Sequence, residues 1–204
     1  MNRTNNIKLG KACDKVILSE LKKLKGFIGI DEIKDSQQNR YNINGLEKFY
    51  NDINSKLGVD YVLTMIINGK VQTLYIDTKG FNYSHRSNGK LTNGIVETIP
   101  LQIEKYYSGI SRKGWANSPE HWTTNTIILI NNHMYFIRYN KLVEYCNELE
   151  QIDTTVCITY DKRDNWNRYT GNYEKCILGN VEEMKAKGII TSIRAVTDTT
   201  EQIF

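Results

Sequence analysis

The chain predicts an α/β protein, a mixed central β-sheet flanked by helices. Three observations carry this. Apolar residues recur at helical spacing over 11–25, 45–57 and 141–150, and at β-type spacing between them. Asn68-Gly69 stands between two apolar β-type runs, a strong short-range hairpin signal. With 204 residues, 40% hydrophobic and 25% charged, the chain has enough apolar surface for a real core. No internal repeat and no low-complexity linker divides it, so one domain over 1–204 is expected, with a core at about 11–140 and a C-terminal α/β extension at about 141–204.

Each element has a local cause. In 11–25, Cys13, Val16, Ile17, Leu21 and Leu24 gather on one helical face, and Gly26 ends the helix. Glu20 falls within that stripe. A carboxylate there calls for a metal, a lysine or an arginine beside it, or for a helix turned so that Glu20 lies at the rim. Residues 27–30 form a short strand and 31–41 a polar loop. The 45–57 helix opens on Asn44 with Glu47 in a capping box and ends at Gly58. The hairpin follows, its strands 59–67 and 71–76. Residues 81–93 read as an exposed polar loop with Arg86 and Lys90. Residues 94–99 read as a strand carrying Glu97 to the same edge. Pro100 suits the first turn of a helix to about Tyr107, on which Gln102 and Tyr106 share a face.

The segment 108–124 reads as one loop in which Arg112, Lys113, Trp115 and Trp122 interleave charge with aromatic faces. That pattern grips a phosphate backbone and stacks on bases, or serves as a surface loop anchored by its tryptophans. A second hairpin pairs 126–131 with 134–139 around Asn132-His133. The helix at 141–150 has Asn140 as its cap and Leu142, Val143, Cys146 and Leu149 inward. Strands at 155–160, 176–178 and 189–196 and a capped helix from Asn180 to Gly188 complete the chain. Residues 161–173 form a polar loop.

Composition excludes several classes. No run approaches the roughly 20 apolar residues of a membrane span, and the first residues lack a secretory pattern, so a cytoplasmic protein is expected. Cys13, Cys146, Cys157 and Cys176 are widely spaced, and His85, His121 and His133 show no paired-ligand spacing, so free thiols and no zinc site are expected. The net charge of +4 says less than its distribution: residues 81–141 carry seven Lys/Arg against three Glu, and residues 142–204 seven against eleven acids. A basic stretch beside the central hairpin suits a polyanion or a solvated loop.

Chemistry concentrates on that hairpin. Asp60 opens its first strand, in Gly58-Val59-Asp60, and Asp77 and Lys79 close its second, in Ile76-Asp77-Thr78-Lys79. In an antiparallel pair those ends meet at one sheet edge. Two carboxylates and an ammonium there suit a divalent cation, or form an ordinary exposed strand-end pair.

This order of helix, strand, acid-headed strand and D-x-K strand resembles the PD-(D/E)XK superfamily of restriction-endonuclease-like and RecB-like nucleases. Asp60 looks like its first acid, Asp77-Thr78-Lys79 like its (D/E)-x-K motif, Glu20 like the acid of its first helix, and Gln102 with Tyr106 like its Q-x-x-x-Y motif. No proline precedes Asp60, and Gln102 lies far from Lys79 for that motif. The resemblance covers roughly residues 11–140. It implies a restriction-endonuclease-like core and a Mg²⁺- or Mn²⁺-dependent phosphodiester hydrolase. Asp60, Asp77, Glu20 or Glu97 and the carbonyl of Thr78 would be ligands, and Lys79 would orient water or stabilise charge. Gln102 and Tyr106 would position substrate or second groups. DNA is the implied partner, bound through Arg86, Lys90, Arg112, Lys113, Trp115 and Trp122. A homodimer is a further implied partner, since cutting both strands takes two sites. The Asn-, Lys- and Ile-rich composition suits a phage or mobile-element endonuclease in a host cytoplasm. The competing expectation is a catalytically inactive protein of this fold, such as a phage-encoded inhibitor of a host defence complex. Convergence of Asp60, Asp77 and Lys79 separates the two.

Overall fold

The computed structural model describes residues 3–33, 57–81, 91–92, 94–107, 110–152, 155–159 and 173–196. The chain is α/β and strand-rich, and it divides into two compact units. The first comprises Met1–Val96, Glu120–Arg138 and Ile190–Phe204, and the second Glu97–Pro119 and Tyr139–Ile189. Among the described residues no helix is long and apolar enough to cross a membrane. The helix expected over 45–57 lies outside the described residues through position 56, as do Arg86, Lys90 and the loop 161–172.

The first unit contains helix α1 (Arg3–Lys22) and strands β1 (Phe27–Glu32), β2 (Tyr61–Ile67), β3 (Lys70–Phe81), β4 (Leu91–Thr92), β5 (Ile95–Val96), β8 (Asn125–Ile130), β9 (His133–Arg138) and β12 (Ile190–Ala195). Six of these form one sheet in the order β1-β2-β3-β8-β9-β12. It is mixed, because β3 and β8 run parallel while the other neighbours are antiparallel. α1 begins well before the expected position 11. Residues 4–10 carry no apolar stripe, so periodicity could not mark that part.

Both hairpins close with two-residue turns whose central residues have positive φ: Asn68 (53°) with Gly69 (76°), and Asn131 (46°) with Asn132 (61°). Turns of that hand match the twist of the strands they join, and Asn and Gly tolerate them. Ile67 therefore pairs with Lys70, and Ile130 with His133. The second turn lies one residue earlier than expected.

The core of this unit lies under α1. Cys13, Ile17 and Leu21 pack on Tyr61, Leu63 and Met65 of β2, Ile76 of β3, Ile127 and Leu129 of β8, and Met134 of β9. The alternation of these strand positions sets the α1-facing side of the sheet. Gly80 lies on that side against Cys13, where an added Cβ would collide with Sγ and approach the Cys13 Cβ at 2.7 Å. Gly80→Ala is therefore expected to cost roughly 1–3 kcal/mol by overpacking and to lower the melting temperature by several degrees. Adding Cys13→Ala should recover part of that loss. An unchanged melting temperature in the single variant would contradict this close approach.

The second unit holds β6 (Thr98–Tyr107), β7 (Ile110–Lys113), helix α2 (Tyr139–Gln151), β10 (Thr155–Thr159), β11 (Tyr173–Asn180) and helix α3 (Val181–Ala186). Its four-stranded sheet has the order β10-β11-β6-β7. The helix expected over 100–107 is thus a strand. Ile99, Leu101 and Ile103 alternate into its core, and β7 pairs with 104–107, so among the described residues Pro100 meets no partner strand on that edge. Helix α2 starts at Tyr139, which places Asn140 inside it, and it buries Tyr139, Leu142, Tyr145 and Cys146. The expected cap of α3 is present: the side chain of Asn180 accepts the Glu183 N–H at 2.9 Å. Cys13, Cys146 and Cys176 are buried free thiols.

Candidate active site

The site arises from a length mismatch between paired strands. β2 begins at Tyr61, opposite Ile76, whereas β3 continues to Phe81 alongside β8. Asp77 and Lys79 therefore lie within a strand rather than beyond its end, which corrects the expected boundary at position 76. Asp60 occupies the place where β2 stops. Its N–H donates to the carbonyl of Ile76 at 2.8 Å, and its Oδ2 accepts the N–H of Thr78 at 2.8 Å. A side-chain carboxylate thus continues the ladder that a backbone carbonyl would otherwise supply.

Thr78 faces α1 and ties two acids together. Its Oγ1 lies 2.9 Å from Oδ1 of Asp14 and 3.1 Å from Oδ2 of Asp60. Burial raises the pKa of the Asp14 carboxyl, the Thr78 hydroxyl opposes the shift, and the nearby charge of Asp60 adds to it.

Asp77 and Lys79 project from the opposite face of β3. The Lys79 ammonium pairs with Oδ1 of Asp77 and donates to the carbonyl of Thr78 at 3.1 Å. Asp77 is 3% exposed, so it is no solvated strand-end charge. Burial pushes its carboxyl up to about 7; the Lys79 charge opposes that and the Asp60 charge reinforces it. For Lys79, burial pulls the ammonium down, but the carboxylates of Asp77 and Asp60 outweigh it and hold the pKa above its ordinary value. Asp77 Oδ2 is buried and makes no hydrogen bond among the described residues. His121 lies alongside, its ring packed on Gly58 so closely that a Cβ there would meet Nδ1 at 2.5 Å. Burial and the Lys79 charge lower its pKa.

The structure thus brings together Asp60, Asp77, Thr78 and Lys79 of the expected residues, and adds Asp14 and His121. The acid that α1 contributes is Asp14, not Glu20. Glu20 pairs with Lys23 at 2.7 Å, a lysine being one of the partners its place in the stripe calls for. The two acids sit on opposite flanks of the Cys13–Ile17–Leu21 stripe, about 9 Å apart along the axis. The position of Asp14 beside the stripe was a usable signal. His121 had none, because its place depends on contact with Gly58. The Thr78 carbonyl, expected as a ligand, accepts from Lys79 instead.

Of the remaining expected residues, Arg86 and Lys90 lie outside the described residues, and all the others but Trp122 belong to the second unit. Glu97 is exposed in the second unit, its carbonyl accepting from Val181 at 2.9 Å. Gln102 and Tyr106 lie in β6 of that unit, on a strand rather than a helix. The segment 108–124 is not one loop: Arg112, Lys113 and Trp115 belong to the second unit and Trp122 to the first. Arg112 and Lys113 are exposed on β7, and the Trp115 carbonyl accepts from the Tyr139 hydroxyl at 2.9 Å. Trp122 is 55% exposed.

The donor set suits a hard divalent cation. Carboxylate oxygens are what such ions take, and a buried carboxylate oxygen without a partner asks for positive charge. Among the described residues no three His, Cys, Asp or Glu side chains form a ready-made cage: Asp14 of α1 meets Thr78 on one face of β3, and Asp77 projects from the other. Comparison of the chain with family models, curated proteins and solved structures found no match.

Proposed function

We propose that this chain is a Mg²⁺- or Mn²⁺-dependent nuclease that hydrolyses phosphodiester bonds in DNA, and that α1 and the six-stranded sheet form a restriction-endonuclease-like core. One observation carries the reading: Asp60 and the Asp77–Lys79 pair converge where β2 ends, with one oxygen of Asp77 buried and unpartnered. The resemblance of Asp60 and Asp77-Thr78-Lys79 to the nuclease motifs supports it.

Asp60 and Asp77 would hold the cation. The bound ion supplies charge neutralisation at the scissile phosphate and a water of lowered pKa. Thr78 keeps Asp60 aimed through its N–H and hydroxyl, and Asp14 shares that hydroxyl. Lys79 has its pKa raised by its carboxylate neighbours, so it stays protonated and donates. Its role is to stabilise negative charge developing on the phosphate oxygens, not to accept a proton. Trp122 follows His121 in the chain and offers an exposed ring on which a base can stack.

The test is incubation of purified protein with supercoiled plasmid and Mg²⁺ or Mn²⁺, beside a sample with excess EDTA. Nicked or linear product in the metal samples alone is expected. Intact plasmid throughout would overturn the catalytic reading, and binding of the plasmid without cleavage would then favour the inactive binding protein.

A further inference from the structure

We propose that Thr126 is a further ligand of the divalent-cation site, its hydroxyl supplying a hard oxygen beside the free oxygen of Asp77. The inference rests on the reading of Asp77 as a cation ligand. β3 and β8 are parallel, with Asp77 opposite Thr126 and Lys79 opposite Ile128. Directly opposed residues of neighbouring strands project to the same face. The intervening pairs confirm the assignment: Thr78 opposite Ile127 and Gly80 opposite Leu129 all face α1. Asp77 and Thr126 are therefore lateral neighbours on the other face, on strands about 4.8 Å apart.

Each of the two ends in an orphan oxygen. Asp77 Oδ2 and Thr126 Oγ1 are both buried and make no hydrogen bond among the described residues, and Thr126 is 0% exposed. A single orphan of this kind is uncommon in a folded protein, and two at opposed positions of adjacent strands form a shared demand. Packing does not explain the hydroxyl. Thr126 is paired with Ile137 and shares its strand face with Ile128, each 0% exposed, and valine would fill the same volume with no unmet polar atom. The charge beside it decides the kind of guest. Lys79 engages Oδ1 of Asp77, and the carboxyl of Asp60 lies within reach of the Asp77 carboxyl, so two acids crowd one corner that a bound cation would relieve. A hydroxyl lone pair and a carboxylate oxygen are both donors that a hard cation accepts.

Mn²⁺ affinity, read from the electron paramagnetic resonance signal of the free ion, tests this in the wild type, Thr126→Val, Thr126→Ser and Asp77→Asn. Thr126→Val is expected to weaken Mn²⁺ binding about tenfold, Thr126→Ser to retain it, and Asp77→Asn to lose it. The metal-free melting temperature of Thr126→Val should not fall, because no hydrogen bond is removed. Wild-type affinity in Thr126→Val, together with its loss in Asp77→Asn, would overturn the role of Thr126 and leave that of Asp77 standing; an ordered water alone between the two oxygens gives that pattern. A lower metal-free melting temperature in Thr126→Val, with weakened binding that serine does not restore, would mark a packing role and overturn the proposal. No Mn²⁺ binding by the wild type would overturn both readings.

Discussion

Asp77→Asn and Lys79→Ala are each expected to reduce metal-dependent plasmid cleavage by about 10³-fold, the scale of losing one preorganised charge at a reacting phosphate. Asparagine keeps the shape of Asp77 but removes the negative charge that a buried cation site requires. Alanine at 79 removes the ammonium paired with that carboxylate and leaves Asp77 still more inclined to hold its proton. Two further variants separate the acids of α1. Asp14→Asn alters the acceptor that shares the Thr78 hydroxyl with Asp60, and should slow cleavage measurably. Glu20→Gln breaks only the pair with Lys23, and should stay within about twofold of wild type, as befits a surface ion pair. Cleavage that survives both Asp77→Asn and Lys79→Ala would remove the site from the mechanism. Equal losses in Asp14→Asn and Glu20→Gln would contradict the geometry of α1.

The metal-free protein should show the opposite ranking in stability. Asp77 ionises near its ordinary 3.8 when unfolded and at about 7 when folded. Between those values the folded chain holds a proton that the unfolded chain has released. The contribution of this group therefore falls as pH rises from about 4 to about 7, and is constant above that. The size of the effect is on the order of 4 kcal/mol over the whole window. Asparagine does not titrate there, so the stability of wild type minus that of Asp77→Asn should fall across the same interval. The ion pair with Lys79 forms only as Asp77 ionises, so its contribution is already contained in the value of about 7. Thermal melts in EDTA from pH 4 to pH 8 check this, and parallel profiles for the two proteins would contradict it. Adding Mn²⁺ at pH 8 should raise the wild-type melting temperature and leave the variant unmoved, since only the carboxylate gains a counter-charge. A site whose own charge destabilises the empty fold is what a binding centre built from buried acids entails.

What could be read from the sequence was local. Asn68-Gly69 specifies its turn by backbone conformation alone, and the alternation on either side specifies which residues pair, so the central hairpin and the positions of Asp60, Asp77 and Lys79 were legible. The Asn180 cap was legible for the same reason. Pro100 misled, because proline opens helices and also tolerates an unpartnered strand edge, and only β7 ending at Lys113 decides between them. Tertiary structure alone decided the parallel pairing of β3 with β8, since parallel strands need a long connection that no adjacent residues encode. It likewise chose Asp14 over Glu20, because the rotation of α1 is set by the contact of Cys13 with Gly80 across the core. The neighbours of the site were invisible for that reason: Thr126 reaches Asp77 through strand pairing and His121 reaches Gly58 through packing, across more than forty positions of chain, where periodicity carries no information.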